Sequence, residues 1–224
     1  MRQAVVIGAG GGIGGALVAR LRAAGDFDTV HALARPAVDV GDPASIAVAA
    51  AAIEGPVELV IVATGLLHDG DRRPERALRE LDAEWLAEQY RVNTIGPALV
   101  LRHFAPKLPR DARGVIACLS ARVGSISDNR LGGWYGYRAA KAALNQIVRT
   151  AAIELARTRP QSVCVALHPG TVATGLSAPF RGGVAAETLF APDFAAERLL
   201  AVLDGLTPTD SGGLFAWDGA RISP

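Results

Sequence analysis

The chain has 224 residues, half of them apolar, and its 23 basic and 22 acidic side chains give a formal net charge of +1. This length is enough to bury a substantial core. The balanced charge offers no basic surface for nucleic acid or for an anionic membrane, and the N-terminal apolar run is far shorter than the roughly 20 residues of a spanning helix. We therefore expect a cytoplasmic protein that binds a small molecule, with neither nucleic acid nor membrane as a partner.

The first elements are a strand, a glycine-rich turn and a helix. The β-branched run "QAVVIGA" predicts the strand, and "IGGALVARLRAAG" predicts a helix that ends at a glycine. Two short strands, "FDTVHALAR" and "AVDV", are then predicted with no helix between them. The segment "DPASIAVAAAAIEG" predicts a helix that begins at Asp42, a capping residue.

Strands and helices continue to alternate in the second part of the chain. The predicted strands are "VELVIVATG", "GVIACLS", "SVCVALH" and "GGLFAW". Predicted helices run from about Asp82 to Leu108, from Trp134 to about Thr158 and over "PDFAAERLLAVLDG", with an irregular loop at 170–191. Continuously apolar strands separated by helices predict a parallel sheet covered on both faces. The fold class is therefore α/β, one Rossmann domain over 1–224 that lacks a helix between its second and third strands.

A dinucleotide site is predicted at the carboxyl ends of these strands. Gly8, Gly12 and Gly14 are spaced GxxxGxG between strand and helix, where the backbone approaches a pyrophosphate at the helix N-terminus. Arg35 follows the second strand where NAD-binding chains carry an acid, which favours the 2′-phosphate of NADP(H), with NAD(H) possible. Asp39 and Val40 are predicted to contact the adenine, although Asp39 also suits a turn.

A tyrosine precedes a lysine by four residues in the predicted helix after Trp134. Basic residues here are overwhelmingly arginine, and Lys107 and Lys141 are the only lysines. Tyr137 and Lys141 would lie on one helix face, and an ammonium beside a phenol favours phenolate, so we expect the pKa of Tyr137 to be lowered. The pair suits proton transfer to a carbonyl or from an alcohol. Cys118 and Cys164 lie in apolar runs without metal-ligand spacing, so no metal site is predicted.

The chain resembles the short-chain dehydrogenase/reductase family nearly end to end, through "GAGGGIG", "ATG" at 63, "VNTIGP", "YRAAK" and "HPGTVAT". Within it, "SARVGSISDNRLGGWYGYRAAKAALN" is similar to the C-factor-type and sniffer-type carbonyl reductases. The resemblance implies that Tyr137 is the proton donor or acceptor, that Lys141 binds the nicotinamide ribose, and that Asn93 binds a water. The resulting cofactor set is Gly8, Gly12, Ile13, Gly14, Arg35, Asp39, Val40, Ala63, Thr64, Gly65, Asn93, Tyr137, Lys141, Pro169, Gly170, Val172 and Thr174.

The family's catalytic serine is displaced in this chain. It normally stands three residues before the glycine that follows the fifth strand, and Ala121 occupies that position. Either Ser120 or Ser125 supplies the hydroxyl, with Ser120 preferred, or the site lacks it. Ile7 and the "ATG" segment, where the family usually has Thr and Asn-Asn-Ala-Gly, are further departures.

The substrate and the assembly are predicted only in outline. Trp134, Tyr135, Leu176 and Phe180, with the loop to about Phe190, would line a pocket for a small or medium carbonyl compound or its alcohol. The function is then that of an NADP(H)-dependent oxidoreductase. The alternative is a nucleotide-binding signalling or regulatory protein of C-factor type with little turnover. The resemblance also implies a homodimer or homotetramer formed through the two longest helices.

Overall fold

The computed structural model describes residues 1–180, 182 and 188–224. In it a seven-stranded sheet has the strand order β2-β1-β3-β4-β5-β8-β9, and every neighbouring pair is parallel except β8 and β9. The strands of this sheet are β1 (Gln3–Ile7), β2 (Thr29–Leu33), β3 (Leu59–Val62), β4 (Gly114–Leu119), β5 (Ser162–His168), β8 (Leu214–Ala216) and β9 (Arg221–Ile222). The predicted α/β class with a mostly parallel sheet is therefore confirmed.

Helices cover both faces of the sheet. They are α1 (Gly12–Ala24), α2 (Pro43–Ala52), α3 (Ala83–Tyr90), α4 (Gly96–Phe104), α5 (Tyr135–Thr158) and α6 (Pro192–Gly205). One apolar core joins α1 and α6 to one face of the sheet, and the other joins α2, α4 and α5 to the opposite face. Alternate residues of each strand point to opposite faces, so the central strands are apolar along their whole length.

The predicted third strand, "AVDV", is wrong. Residues 34–42, all of which are described, contain turns and neither a strand nor a helix. Val38 and Val40 are buried against the core beside α2 and α4, so the alternation that suggested a strand comes from a turn with two side chains pointing inward. The strand that follows β2 is therefore β3, and α2 lies between the two, so the predicted lack of a helix between the second and third strands does not hold for the observed sheet. Asp42 caps α2 as predicted, and its carboxylate accepts a hydrogen bond from the Ala44 N–H.

The predicted helix from Asp82 to Leu108 is divided into four consecutive helical segments. A π-helical segment, Arg91–Ile95, separates α3 from α4, and a 3₁₀ turn follows α4. Such a wide turn shifts the side chains after it and is frequent at functional sites. Asn93 lies in this segment with its side chain fully buried.

Three short strands were not predicted. Within the expected loop at 170–191, β6 (Thr171–Val172) pairs with β7 (Leu189–Phe190), and near the C-terminus β9 pairs with β8. Each has two residues, too few to produce a periodic pattern. Cys118 and Cys164 are buried free thiols. No helix of the described residues combines the length and the hydropathy that crossing a membrane requires.

Candidate active site

The glycines after β1 are placed where the backbone leaves no room for a side chain. Gly8 has φ +89°, and a Cβ there would stand 2.8 Å from the Ala63 carbonyl carbon at the end of β3. A Cβ on Gly14 would lie 2.1 Å from the Gly8 carbonyl oxygen, which no rotamer relieves. The first turn of α1 therefore packs closely against the loop that follows β1, and this loop packs closely against the end of β3.

The N-terminus of α1 fits a pyrophosphate. Its capping residue is Gly11, which has no side chain to accept from the helix N–H groups, and the first turn contains no acidic residue. The positive end of the helix dipole is thus left for an anion. Gly8, Gly12 and Gly14, together with the N-terminus of α1, form what we call the glycine cradle. This cradle suits the pyrophosphate of a dinucleotide, so the residues present fit the predicted cofactor.

The loop at residues 169–174, which is predicted to contact the nicotinamide, approaches the same cradle. A Cβ on Gly12 would be 2.7 Å from Thr174 Cγ2, and one on Gly65 would be 3.6 Å from both Asn93 Oδ1 and Leu176 Cδ1. The predicted segments at 8–14, 63–65 and 169–174 are therefore brought together at the carboxyl edge of the sheet. Ile13, Pro169, Gly170 and Val172 line the cleft between them.

The predicted adenine side lies at the end of β2. Arg35 is exposed in the turn directly after the strand. Asp39 Oδ1 accepts the N–H of Gly41 at 2.8 Å, so its carboxylate closes a turn, the role that competed with adenine recognition in the sequence. Val40 is 8% exposed, and its Cβ would lie 2.7 Å from a Cβ on Gly96, so it packs mainly against the start of α4.

Tyr137 and Lys141 lie on the face of α5 that meets the sheet, with 7% and 2% of their surfaces exposed. The Lys141 ammonium donates to the Leu119 carbonyl at 2.9 Å and lies 5.7 Å from the centre of the Tyr137 ring. Burial lowers the pKa of Lys141 to about 8. Burial also raises the pKa of Tyr137, so the expected lowering of this pKa is wrong. Desolvation of the phenol dominates, because the Lys141 ammonium donates to the Leu119 carbonyl and not to the Tyr137 hydroxyl.

Asn93 joins the π-helical segment to the loop after β3. Its side-chain amide accepts the Leu66 N–H at 2.9 Å and donates to the Leu66 carbonyl at 2.7 Å and to Gln89 Oε1 at 2.8 Å. The side chain is thus fully committed to holding this loop against α3.

The two candidate serines have different surroundings. Ser120 lines the cleft beside Tyr137, and its hydroxyl donates to Asn145 Oδ1 at 2.7 Å. Ser125 is buried outside the cleft lining, where its hydroxyl oxygen accepts the Asp128 N–H at 3.1 Å. Ala121, at the family's serine position, lies in the cleft wall next to Ser120.

The cleft has a volume of about 250 Å³ and a largely apolar wall. Leu67, Trp134, Leu176 and Phe180 line it, and the Trp134 and Phe180 rings pack edge to face with centroids 5.2 Å apart. Tyr135 and Phe190, which the sequence also suggested, lie outside the lining, with Phe190 packed on Trp217. The rest of that suggested loop, residues 181 and 183–187, lies outside the described residues.

Several polar groups near the site were not predicted. Arg122 and His168 line the cleft, and Asn145 binds Ser120. Glu75 is 3% exposed, and its Oε2 accepts the Gly136 N–H at the start of α5 at 3.1 Å. The position of Asn145, four residues after Lys141 on the same helix face, was the one signal available in the sequence. In the described part of the chain, no group of three potential ligand side chains is placed to hold a metal.

Known proteins share sequence with this chain over most of its length. Residues 9–201 match the family model described as enoyl-(acyl carrier protein) reductase. The C-signal protein of Myxococcus xanthus is 37% identical over 147 residues, which are 65% of this chain and 82% of that protein. The 1-hydroxy-2-glutathionyl-2-methyl-3-butene dehydrogenase of Rhodococcus sp. (strain AD45) is 34% identical over 142 residues, which are 63% of this chain but 60% of the dehydrogenase.

Solved structures share the whole fold. The carbonyl reductase Sniffer of D. melanogaster superposes with a TM-score of 0.83 at 19% identity, and each chain is covered completely. The NADPH-bound carbonyl reductase from chicken fatty liver gives a TM-score of 0.82 at 24% identity, over 100% of this chain and 94% of that one. At these identities the likeness establishes the fold alone.

The family model covers most of the chain, including Gly12 and Gly14 of the glycine cradle and the helix that carries Tyr137 and Lys141. The resemblance read from the motifs is therefore confirmed. The chain belongs to the short-chain dehydrogenase/reductase family of NAD(P)-dependent oxidoreductases.

Proposed function

We propose that this protein is an NADP(H)-dependent carbonyl reductase that reduces small or medium aldehydes, ketones or quinones, or oxidises the corresponding alcohols. The observation that carries the proposal is the buried Tyr137–Lys141 pair, of which Tyr137 lies in the wall of an apolar cleft that also borders the glycine cradle. When bound, the cofactor supplies the hydride that reaches the carbonyl carbon. The residues of this chain bind, orient and protonate.

Tyr137 is the proposed proton donor. Because burial raises its pKa, the phenol keeps its proton at neutral pH, and its O–H can donate to a carbonyl oxygen as negative charge develops there. Lys141, with a pKa of about 8, is mostly an ammonium at neutral pH and has the compact shape needed to reach ribose hydroxyls. Asn93 holds the loop after β3 in place beside them.

Ser120 is the proposed serine of the site, because it lines the cleft and Ser125 does not. Its hydroxyl proton is directed at Asn145 Oδ1, so donation to a substrate requires that bond to be exchanged. We place Ser120 beside the reacting oxygen on this basis.

The preference for NADP(H) rests on Arg35 and on the absence of an acid at residues 34–37 in the turn after β2. A guanidinium pairs with a phosphate through two hydrogen bonds, whereas the ribose hydroxyls of NAD(H) give it no such partner. Arg35→Ala is expected to weaken NADPH binding about tenfold and to leave NADH binding unchanged. Arg157→Ala, at an exposed arginine of the last turn of α5, is the matched control; tighter binding of NADH than NADPH by the wild type would overturn the preference.

The defining experiment is turnover of NADPH with benzaldehyde, acetophenone, cyclohexanone and 1,4-benzoquinone. Wild-type protein is expected to oxidise NADPH with at least one of them. Tyr137→Phe is expected to lower kcat about 100-fold or more with NADPH affinity retained, because it removes the proton and little volume. Tyr90→Phe, at the end of α3, provides the matched control. Full activity of Tyr137→Phe would remove the tyrosine from the mechanism.

A second candidate function is regulation through nucleotide binding with little turnover. The similarity to C-signal and the alanine at position 121 favour it. NADPH binding by the wild type, with no oxidation by any of the four carbonyl compounds, would support this candidate over the reductase.

We also propose a homodimer or homotetramer that pairs α4 and α5 across a two-fold axis. A groove of about 460 Å³ between these helices is lined by Leu101, Ile147 and Leu155, and Ile153 on α5 is 46% exposed. Light scattering of the wild type is expected to give a dimer or tetramer, and Ile147→Arg is expected to shift it towards monomer. A monomeric wild type would refute the assembly.

A further inference from the structure

As hydride adds to a carbonyl carbon, partial negative charge develops on the oxygen, and preorganised hydrogen-bond donors around that oxygen stabilise the transition state. Tyr137 supplies one donor under the proposed function, on which the following inference rests. The serine position of the family and the two candidate serines do not supply a free second donor. Ala121 has none, Ser125 lies outside the cleft lining, and the Ser120 proton is directed at Asn145.

His168 stands opposite Ser120 at the end of the sheet. The Ser120 N–H donates to the Leu167 carbonyl at 2.7 Å, which extends the parallel ladder between β4 and β5 by one residue and pairs Ser120 with His168. Side chains alternate along a strand, and Ala166, two residues earlier, belongs to the core beneath α4 and α5. His168 therefore projects to the same side as α5, and it lines the cleft together with Tyr137.

The imidazole of His168 has no hydrogen-bond partner in the described part of the chain, and its Nδ1 atom is buried. A buried N–H without a partner is costlier and rarer than a buried lone pair. The favoured tautomer therefore carries its proton on Nε2, the nitrogen left to face the cleft. Burial and the Arg122 guanidinium lower the pKa of His168 to about 4, against a smaller opposing effect of Asp218, so the ring is neutral at neutral pH.

We propose that His168 is a second catalytic residue, whose Nε2–H donates a hydrogen bond to the substrate oxygen opposite the Tyr137 hydroxyl. The proton that ends on the product alcohol comes from Tyr137, and the hydride comes from the cofactor. His168 transfers nothing: it donates a hydrogen bond that strengthens as charge develops. Ser120 stands next to it and is held by Asn145.

Three variants separate this role from a structural one. His168→Phe keeps a flat ring and removes the donor, and it is expected to lower kcat about 100-fold with NADPH affinity unchanged. His168→Gln offers an amide N–H at a similar reach and is expected to recover most of the loss. Ser120→Ala is expected to lower kcat by less than His168→Phe. His103→Phe on α4, outside the cleft lining, is the control for the same substitution elsewhere.

The readout independent of turnover is the imidazole ¹⁵N spectrum of the wild type. Free protein is expected to show a neutral ring protonated at Nε2, and addition of benzaldehyde with NADP⁺ is expected to shift the Nε2 signal. The unfolding midpoint and the NADPH dissociation constant of each variant identify any variant that is misfolded. If a variant is misfolded, the role of His168 is judged from the ¹⁵N spectrum of the wild type.

The outcomes distinguish the inference from the proposed function. Full activity of His168→Phe with a large loss in Ser120→Ala would make the serine the donor and overturn the inference while the reductase stands. An unshifted Nε2 signal, or a proton found on Nδ1, would also overturn it. A wild type that turns over no carbonyl yet shows the shift would refute the reductase and leave His168 as a carbonyl-binding residue.

Discussion

The two halves of the candidate site are built differently. The cofactor half consists of backbone: Gly8, Gly12 and Gly14 stand where a Cβ would collide with a carbonyl or a neighbouring side chain. The substrate half consists of side chains from separate segments of the chain, among them Trp134 before α5, His168 at the end of β5, and Phe180. A site made of backbone restricts the residue type at each position, so it can be recognised in a sequence. A site made of side chains depends on which loop meets which.

The sharpest test of the cofactor half is Gly14→Ala. Its Cβ would stand 2.1 Å from the Gly8 carbonyl oxygen, so the cradle must open, and NADPH affinity is expected to fall about 100-fold or more. The matched control is Gly15→Ala, because a Cβ there meets only the Ala9 carbonyl oxygen at 3.4 Å. Calorimetric titration with NADPH measures both. Equal, small losses in the two variants would show that backbone crowding does not shape the cradle.

The substrate half depends on a buried carboxylate at the start of α5. Glu75 accepts the Gly136 N–H one residue before Tyr137, so Glu75→Ala leaves that N–H without its partner. We expect a loss of about 1–3 kcal/mol in the free energy of unfolding and a lower kcat. Glu75→Gln keeps an acceptor and should recover most of both. Glu84→Ala, at a glutamate with 86% of its side chain exposed, is the control in urea unfolding and in NADPH turnover.

The protonation state of Lys141 is expected to affect both the free energy of unfolding and NADPH affinity. The folded pKa of about 8 lies below the ordinary value of 10.5, so above pH 8 the folded state has released a proton that the unfolded state still holds. The free energy of unfolding should therefore rise between pH 8 and 10.5, and NADPH affinity should fall as the ammonium is lost. Urea unfolding of wild type minus Lys141→Met isolates this contribution. A difference independent of pH would contradict the lowered pKa.

The smallest effect is expected at the aromatic edge of the cleft. Phe180 packs against Trp134 and closes one side, so Phe180→Ala should raise KM for benzaldehyde a few-fold with kcat nearly unchanged. Phe194→Ala, whose ring packs behind the cleft on Phe190, is the comparison. An equal rise in both would show that the edge does not contact substrate.

The sequence predicts the elements that have strong patterns and fails where the structure depends on packing. The central strands, α5 and α6 agree with their predicted spans, because continuous apolar runs and helical periodicity leave few alternatives. "AVDV" misled because a turn can bury alternate side chains as a strand does. The direction of the Tyr137 pKa was wrong because the spacing of the pair carries no information about desolvation or about where the ammonium points.

The site residues also differ in whether the sequence alone could identify them. Each glycine of the cradle could be named from spacing, whereas Glu75 comes from a distant loop and meets α5 only in the folded chain. His168 was visible in the motif, but its pairing with Ser120 required the register of β4 against β5. Its missing hydrogen-bond partner is a property of the surrounding packing that a linear pattern does not carry.

The turn after β2 has a consequence for how cofactor preference can change. It is held by its own hydrogen bonds, between Asp39 and the neighbouring Gly41 and Ser45, and none of its residues belongs to a strand of the sheet. Substitutions at its exposed positions, Arg35 among them, leave every rung of the sheet intact. If Arg35 selects the cofactor as proposed, cofactor choice and folding are separable, and substitution of the exposed positions of this turn, with Val38 and Val40 retained in the core, is a direct route to a form that uses NAD(H).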